Sequence, residues 1–436
     1  MLFRILSLLA YGLAFQLAYQ LYLAPTFEYA SYRNIEMTLS HHLLTLAFVA
    51  LPSLLFKDRP TPAAFGAALI YIVAYVPAQI MIPRMLDDFY FPTLSIQAAL
   101  AASMAAISFF SGMGGSRRSE QEPIGRDLTM LVLVLAIPCL LAMVATNYQH
   151  MRFVDFASVY ELRQDSSKAA QMPVLAYTNL WLAYCFLPYF ITRGIMMREW
   201  LSFAFGFVGC LLIYLATGAK AQILLPIIMI GIYFVSKRVN LSLARLAAIS
   251  ILLVLFCTAL PTEGSLGMIK FLYLMRTLST GGLTMSLYYE FFSSFGYTNY
   301  THINLIGPII GTYPYGAYSM GQVIGLQYYN SELANYNANF WASDGFGAMG
   351  IAGVPIITTI LCAILVVMNR LASLFDPRFV SLWLTGFWLA MLNLPLSTAM
   401  LSGGGLLTLL LLMTARLQGI ASRARSGAVL IAPRAA

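Results

Sequence analysis

Phe346–Met368 reads FGAMGIAGVPIITTILCAILVVM, 23 residues without a charged side chain. A run of that length and character spans the ~30 Å hydrocarbon core of a bilayer as one helix. In lipid its backbone has no water to bond, and a helix closes every such bond within itself. Working outward, comparable runs recur at about 2–23, 40–56, 62–83, 93–111, 128–147, 173–192, 199–217, 220–236, 241–261, 379–396 and 401–416, which makes twelve candidate spans. The chain is 60% hydrophobic and 10% charged, with mean hydropathy +0.77. A soluble domain carries roughly a quarter charged residues. The expected class is therefore an all-α polytopic integral membrane protein. Residues 1–420 form one transmembrane domain, and 421–436 form a basic tail.

The formal charge of +8 has a topological origin. With both termini on the cytoplasmic side, 17 of the 25 Lys and Arg fall on that face and 8 on the other, while the acids divide 6 to 11. Excess Lys and Arg in cytoplasmic loops is the usual orientation signal. The basic balance thus needs no nucleic acid as partner. The five cysteines (139, 185, 210, 257 and 362) all sit inside apolar runs, with neither metal-ligand nor disulfide spacing. Asp87-Asp88 is an acidic doublet without further ligands nearby, and no Walker A loop or H-E-x-x-H appears. Neither a metal nor a cofactor is expected.

Both long hydrophilic segments, 147–172 and 263–345, then face away from the cytoplasm. The second lacks any span and holds 11 of the chain's 26 tyrosines in 83 residues, about twice its share by length. Aromatic faces stack on sugar C–H faces while phenol and amide groups bond sugar hydroxyls, so the composition suits a glycan groove. Within it Leu283, Leu287, Tyr288, Phe291, Phe292 and Phe295 share one helical face, which predicts an amphipathic helix lying in the interface.

Charges beside hydrocarbon are costly and so call for a partner. Arg163, in the run Val159-Tyr160-Glu161-Leu162-Arg163, is either a solvated partner of Glu161 or Asp165 or a bidentate phosphate clamp. Lys220 follows Gly218 at a sharp reversal between two spans. It either snorkels to the interface or offers a point charge to phosphate. Arg276 is one of six charged residues in 263–345, with Glu263, Lys270, Glu290, Glu332 and Asp344. His302 is the one histidine there, either structural or a base for a sugar hydroxyl. The run Asn335–Gly345 carries Asn337, Asn339, Trp341 and Asp344. It suits hydroxyl recognition or, at Ser343 and Asp344, helix capping.

Taken together these residues resemble the bacterial oligosaccharide repeat-unit polymerases, the Wzy-type O-antigen and exopolysaccharide polymerases. The matching pieces are Val159–Arg163, the Gly218–Lys220 reversal, Arg276 ahead of an aromatic stretch reaching Thr301-His302, and Asn337–Trp341 leading to Gly347 and Gly350. They cover about residues 150–360. The resemblance implies a GT-C-like fold of about twelve helices with a large periplasmic loop of short interfacial helices, in the bacterial inner membrane. It implies glycosyl transfer from undecaprenyl pyrophosphate-linked oligosaccharide to a lipid-linked acceptor, without nucleotide sugar or metal. Membrane lipids and a co-polymerase that regulates chain length are the implied partners. On this footing Arg163, Lys220 and Arg276 bind pyrophosphate, while His302, Arg276 and Asp344 are catalytic. Tyr160, Tyr300, Asn337, Asn339 and Trp341 bind glycan. An O-antigen ligase, a lipid-linked oligosaccharide flippase or transporter, and a structural partner of an export complex are the alternatives. Short loops on both faces would favour a transporter.

Overall fold

The computed structural model describes residues 1–86, 90–115, 125–153, 173–238, 242–303, 307–331 and 334–431, and the described elements are helices and their connections. Nine helices among them are long and apolar enough to cross a membrane: Leu2–Thr26, Pro62–Met85, Phe91–Ser111, Asp127–Asn147, Tyr177–Met197, Trp200–Thr217, Lys220–Lys237, Trp341–Ala372 and Leu396–Ile420. The chain is thus a multi-pass membrane protein.

Twelve uninterrupted spans are not what forms. Leu39–Leu55 and Leu243–Ala259 are apolar but shorter. The run expected at 379–396 breaks at Leu384 into Pro377–Trp383 and Thr385–Met391. Such a break survives at membrane depth because other helices enclose it, with Trp383 and Trp388 both at 0% exposure. Trp388 lies against Gly66, where an added Cβ would stand 2.1 Å from the indole. Overpacking a filled core costs about 1–3 kcal/mol. Gly66→Ala is accordingly expected to lower the melting temperature of the detergent-purified protein. Gly231→Ala, whose added Cβ meets nothing within 4 Å, is expected to leave it unchanged.

Polar residues tie the first spans together where apolar packing is non-directional. Gln97 donates to Thr45 Oγ1 at 3.0 Å and to the Gln79 carbonyl at 3.1 Å, while Gln79 returns a bond to the Gln97 carbonyl at 2.9 Å. His41 Nε2 meets Gln97 Oε1 at 3.1 Å. Three helices are thereby held in register.

The two ends of the bundle differ. At one end Arg4 binds Asp58 at 2.5 Å, Arg59 donates to Gly112, and Arg416 donates to the Arg370 carbonyl. The far ends of Leu2–Thr26 and Pro62–Met85 carry Tyr32, Arg33 and Arg84. Against that end packs the segment that the sequence left without a span. Gly264–Lys270, Phe271–Ser279 and Thr280–Phe295 run on as one helix, π-helical in its middle. It does not lie flat in the interface. Residues 282–288 are buried without exception, between Val76–Met85 and Trp341–Met349. Gly282 touches Met81 and Ala78, so the expected surface helix is a bundle element.

Candidate functional site

Two constellations occupy this end. The first is built on Trp341–Met349. Its first turn carries Asp344, whose side chain is fully buried. Near its other end the carbonyls of Gly347 and Ala348 accept from Thr298 N at 3.0 Å and Asn299 N at 2.8 Å. Those bonds satisfy acceptors that a helix end leaves open and dock the loop after Phe295. The loop then reverses through Asn299 and Tyr300, both left-handed with φ of 49° and 60°. A bulky side chain there is uncommon and costs about 1–3 kcal/mol.

The strained turn delivers His302 onto Asp344. Nε2 meets Asp344 Oδ1 at 3.0 Å and Nδ1 meets Thr298 Oγ1 at 2.8 Å. The Asp344 carboxyl accepts an N–H from Nε2, and the one Thr298 hydroxyl proton is shared between Nδ1 and the Gly347 carbonyl, 3.3 Å away. This is a Thr–His–Asp relay in which both ring nitrogens are engaged. Neither ring nitrogen of His302 is left without a partner. Asp344 Oδ2 is buried without a hydrogen-bond partner among the described residues, and so is Asn339 Oδ1. Tyr288 links the two. Its hydroxyl accepts from Asn339 Nδ2 at 3.4 Å, and its pKa is raised by burial and then by the Asp344 charge. Burial and the same carboxylate push Tyr300 up to about 12.

The second constellation surrounds Arg276, in the π-helical segment. Its guanidinium is exposed and stands 5.5 Å from the centre of the Phe271 ring. Burial raises the pKa of Tyr32 and of Tyr336, and the Arg276 charge draws both part of the way back. Tyr336 stacks on Tyr329, with ring centres 5.1 Å apart and planes 12° from parallel. Tyr329 donates to Ser31 at 3.0 Å, and Tyr32 Oη lies 2.7 Å from Ser279 Oγ. Beside them Arg33 pairs with Glu290 at 2.8 Å. Tyr288 joins the two constellations by donating to the Tyr336 carbonyl at 3.3 Å. The arrangement offers a cation with aromatic faces and a buried carboxylate at the same end of the bundle.

The remaining expected site residues separate. Tyr300 is half-buried, donates to the Gly353 carbonyl at 3.3 Å and faces the His302 ring. Asn337 is spent on structure, accepting from Gly321 N at 2.9 Å and donating to Ser319 at 3.2 Å to brace Met320–Tyr329. Trp341 is fully buried with its indole N–H on Thr358 at 3.0 Å. No ring face is open, so packing takes the place of the sugar stacking expected of it. Gly218, at φ 64°, makes the expected reversal, and Lys220 opens the next helix. That helix packs on Leu187–Met197, Trp200–Thr217 and Pro377–Trp383, away from the neighbours of the Arg276 segment. Lys220 and Arg276, both expected to bind pyrophosphate, thus stand on different sets of helices. Tyr160 and Arg163 lie outside the described residues, as do Asp87 and Asp88.

Two contributors were not singled out from sequence. Thr298 sits one helical turn's worth of residues before His302, and the Tyr32-Arg33 pair shows the same aromatic–basic signature as the later segment. Among the described residues no group of three or more His, Cys, Asp or Glu could hold a metal ion. No protein-family model, curated protein or solved structure matches the chain.

Proposed function

We propose that this protein is a membrane glycosyltransferase of GT-C type that polymerises undecaprenyl pyrophosphate-linked repeat units at the periplasmic face of the bacterial inner membrane. What supports this reading above all is the buried His302–Asp344 pair, with its spare carboxylate oxygen, at the same end of the bundle as the exposed Arg276 and its aromatic shell. Asp344 Oδ2 and Asn339 Oδ1 are acceptors, and an acceptor sugar is a source of hydroxyl donors. In the proposed step the acceptor hydroxyl oxygen attacks the anomeric carbon of the donor. The bond from that carbon to the pyrophosphate oxygen breaks, and the electron pair leaves with the lipid pyrophosphate. Asp344 takes the hydroxyl proton, as a positioned base does. His302 holds the carboxylate in place through Nε2, and Thr298 holds the ring. Arg276 meets the charge that grows on the leaving pyrophosphate.

The deciding experiment reconstitutes the full chain in lipid nanodiscs with its lipid pyrophosphate-linked repeat unit alone. Mass spectrometry then reads glycan length without nucleotide sugar or added metal. Products of two or more repeats are expected. Transfer only after lipid A–core is added would make the protein a ligase. Absence of transfer in both cases, with substrate crossing a sealed bilayer, would make it a flippase and end the catalytic assignments.

A further inference from the structure

The opposite end of the bundle holds a cavity of about 520 Å³ that the proposed reaction leaves unused. Its walls come from the start of Leu2–Thr26, the 58–65 turn, and parts of Lys220–Arg238, Leu243–Ala259 and Pro377–Trp383. Four arginines line it, Arg4, Arg59, Arg245 and Arg378, against one acid, Asp58. That acid is already committed. It binds Arg4 at 2.5 Å and accepts from Leu243 N at 3.0 Å, where it caps a helix. Arg59 donates to the neutral Gly112 carbonyl at 2.9 Å, and among the described residues no carboxylate forms an ion pair with it. Arg378 is exposed, and among the described residues no carboxylate forms an ion pair with its guanidinium; Asp376 accepts from its backbone N–H at 2.8 Å.

Apolar side chains, among them Phe56, Phe65, Ile232 and Leu382, share the lining with the arginines. Met1 and Phe3, 82% and 64% exposed, also line it. Sites of about 300–1,000 Å³ with apolar walls and a few convergent polar groups hold small ligands or part of a larger one. A cavity lined by both arginines and apolar side chains suits an anion joined to a hydrocarbon tail, and basic groups at a membrane surface attract anionic headgroups.

We propose that this cavity binds a phosphate group carrying an apolar tail, with the phosphate on Arg59 and Arg378 and the tail leaving past Phe3. The chemistry has two sources, an anionic lipid of the leaflet at this end or a soluble phosphorylated compound. The inference does not depend on the glycosyltransferase reading.

Native mass spectrometry of the full chain in detergent tests it, with phosphatidylglycerol, phosphatidylcholine and inorganic phosphate as probes. Phosphatidylglycerol is expected to bind at least tenfold more tightly than phosphatidylcholine. The Arg59→Gln/Arg378→Gln variant is expected to lose that preference. Ser381→Phe fills the cavity without touching its charge and is expected to exclude the lipid as well, so the result does not hang on one variant folding. Displacement of the lipid by millimolar inorganic phosphate would assign the site to soluble phosphates, and persistence of the lipid would assign it to the leaflet. Equal binding of the two lipids, or unchanged phosphatidylglycerol binding in both variants, overturns the proposal.

Discussion

Asp344→Asn is expected to lower glycan extension by about 10²–10⁴-fold, the usual contribution of a positioned proton acceptor. The substitution keeps size and shape. The new amide oxygen still accepts the His302 N–H now held at 3.0 Å. What changes is the other terminal atom. Oδ2, buried and unpartnered, is an acceptor, and an NH2 group in its place can only donate. A fully buried carboxylate is also expensive to hold, so its removal should not weaken the fold and is expected to leave the melting temperature level or slightly higher. Loss of activity together with a retained melting temperature separates a chemical role from a structural one. His302→Gln and Thr298→Val act through the carboxylate's position, and each is expected to cost less than Asp344→Asn. The measurement is the length of lipid-linked product in nanodiscs. Retention of more than a tenth of wild-type extension by Asp344→Asn would sink the assignment.

Why that site was only half visible in the sequence follows from how it is assembled. Nine of the spans were legible because a bilayer imposes both length and apolarity. Phe346–Met368, however, is not one uninterrupted helix: Gly350, at φ 62°, ends Trp341–Met349, and a short 3-10 turn leads into Gly353–Ala372. The break at Leu384 was not legible, since a fully enclosed segment is apolar whether or not it is continuous. The helix through Thr280–Phe295 was read correctly as a helix but placed on the surface. Its six apolar face residues are the same in either setting, and only Gly282 against Met81 and Ala78 marks close burial. His302 and Asp344 could each be picked out as isolated polar groups. Their pairing could not, because it spans 42 residues and depends on backbone bonds from 298 and 299 to the carbonyls of 347 and 348. Trp341 misled for a related reason. An aromatic residue ahead of a span fits a sugar platform and a buried wedge equally well, and its N–H on Thr358 belongs to the wedge.

Arg276→Ala is expected to reduce turnover by about 10²–10³-fold, the typical loss when one preorganised stabiliser of developing charge is removed. Arg276 is suited to that test because it is exposed and packs through a ring contact to Phe271. Among the described residues no carboxylate forms an ion pair with it. Its charge is thus available to a ligand, unlike that of Arg33, which is matched by Glu290 at 2.8 Å. Nor is it a helix cap like Lys270, which donates to the Thr258 and Leu260 carbonyls at 3.1 and 3.0 Å. Removal of an exposed, unpaired side chain changes stability by about 0.5 kcal/mol or less, so the melting temperature is expected to stay put. The kinetic signature discriminates further. Charge on the pyrophosphate grows as its bond to the sugar breaks, so the loss should appear mainly in kcat, whereas a group that only holds the donor would raise KM at constant kcat. Arg276→Lys keeps the charge but loses the planar fork, and it is expected to recover part of the rate. If Arg276→Ala retains more than a tenth of wild-type kcat, the cation that meets the leaving group stands elsewhere, and Arg276 serves the aromatic shell of Phe271, Tyr32 and Tyr336 instead.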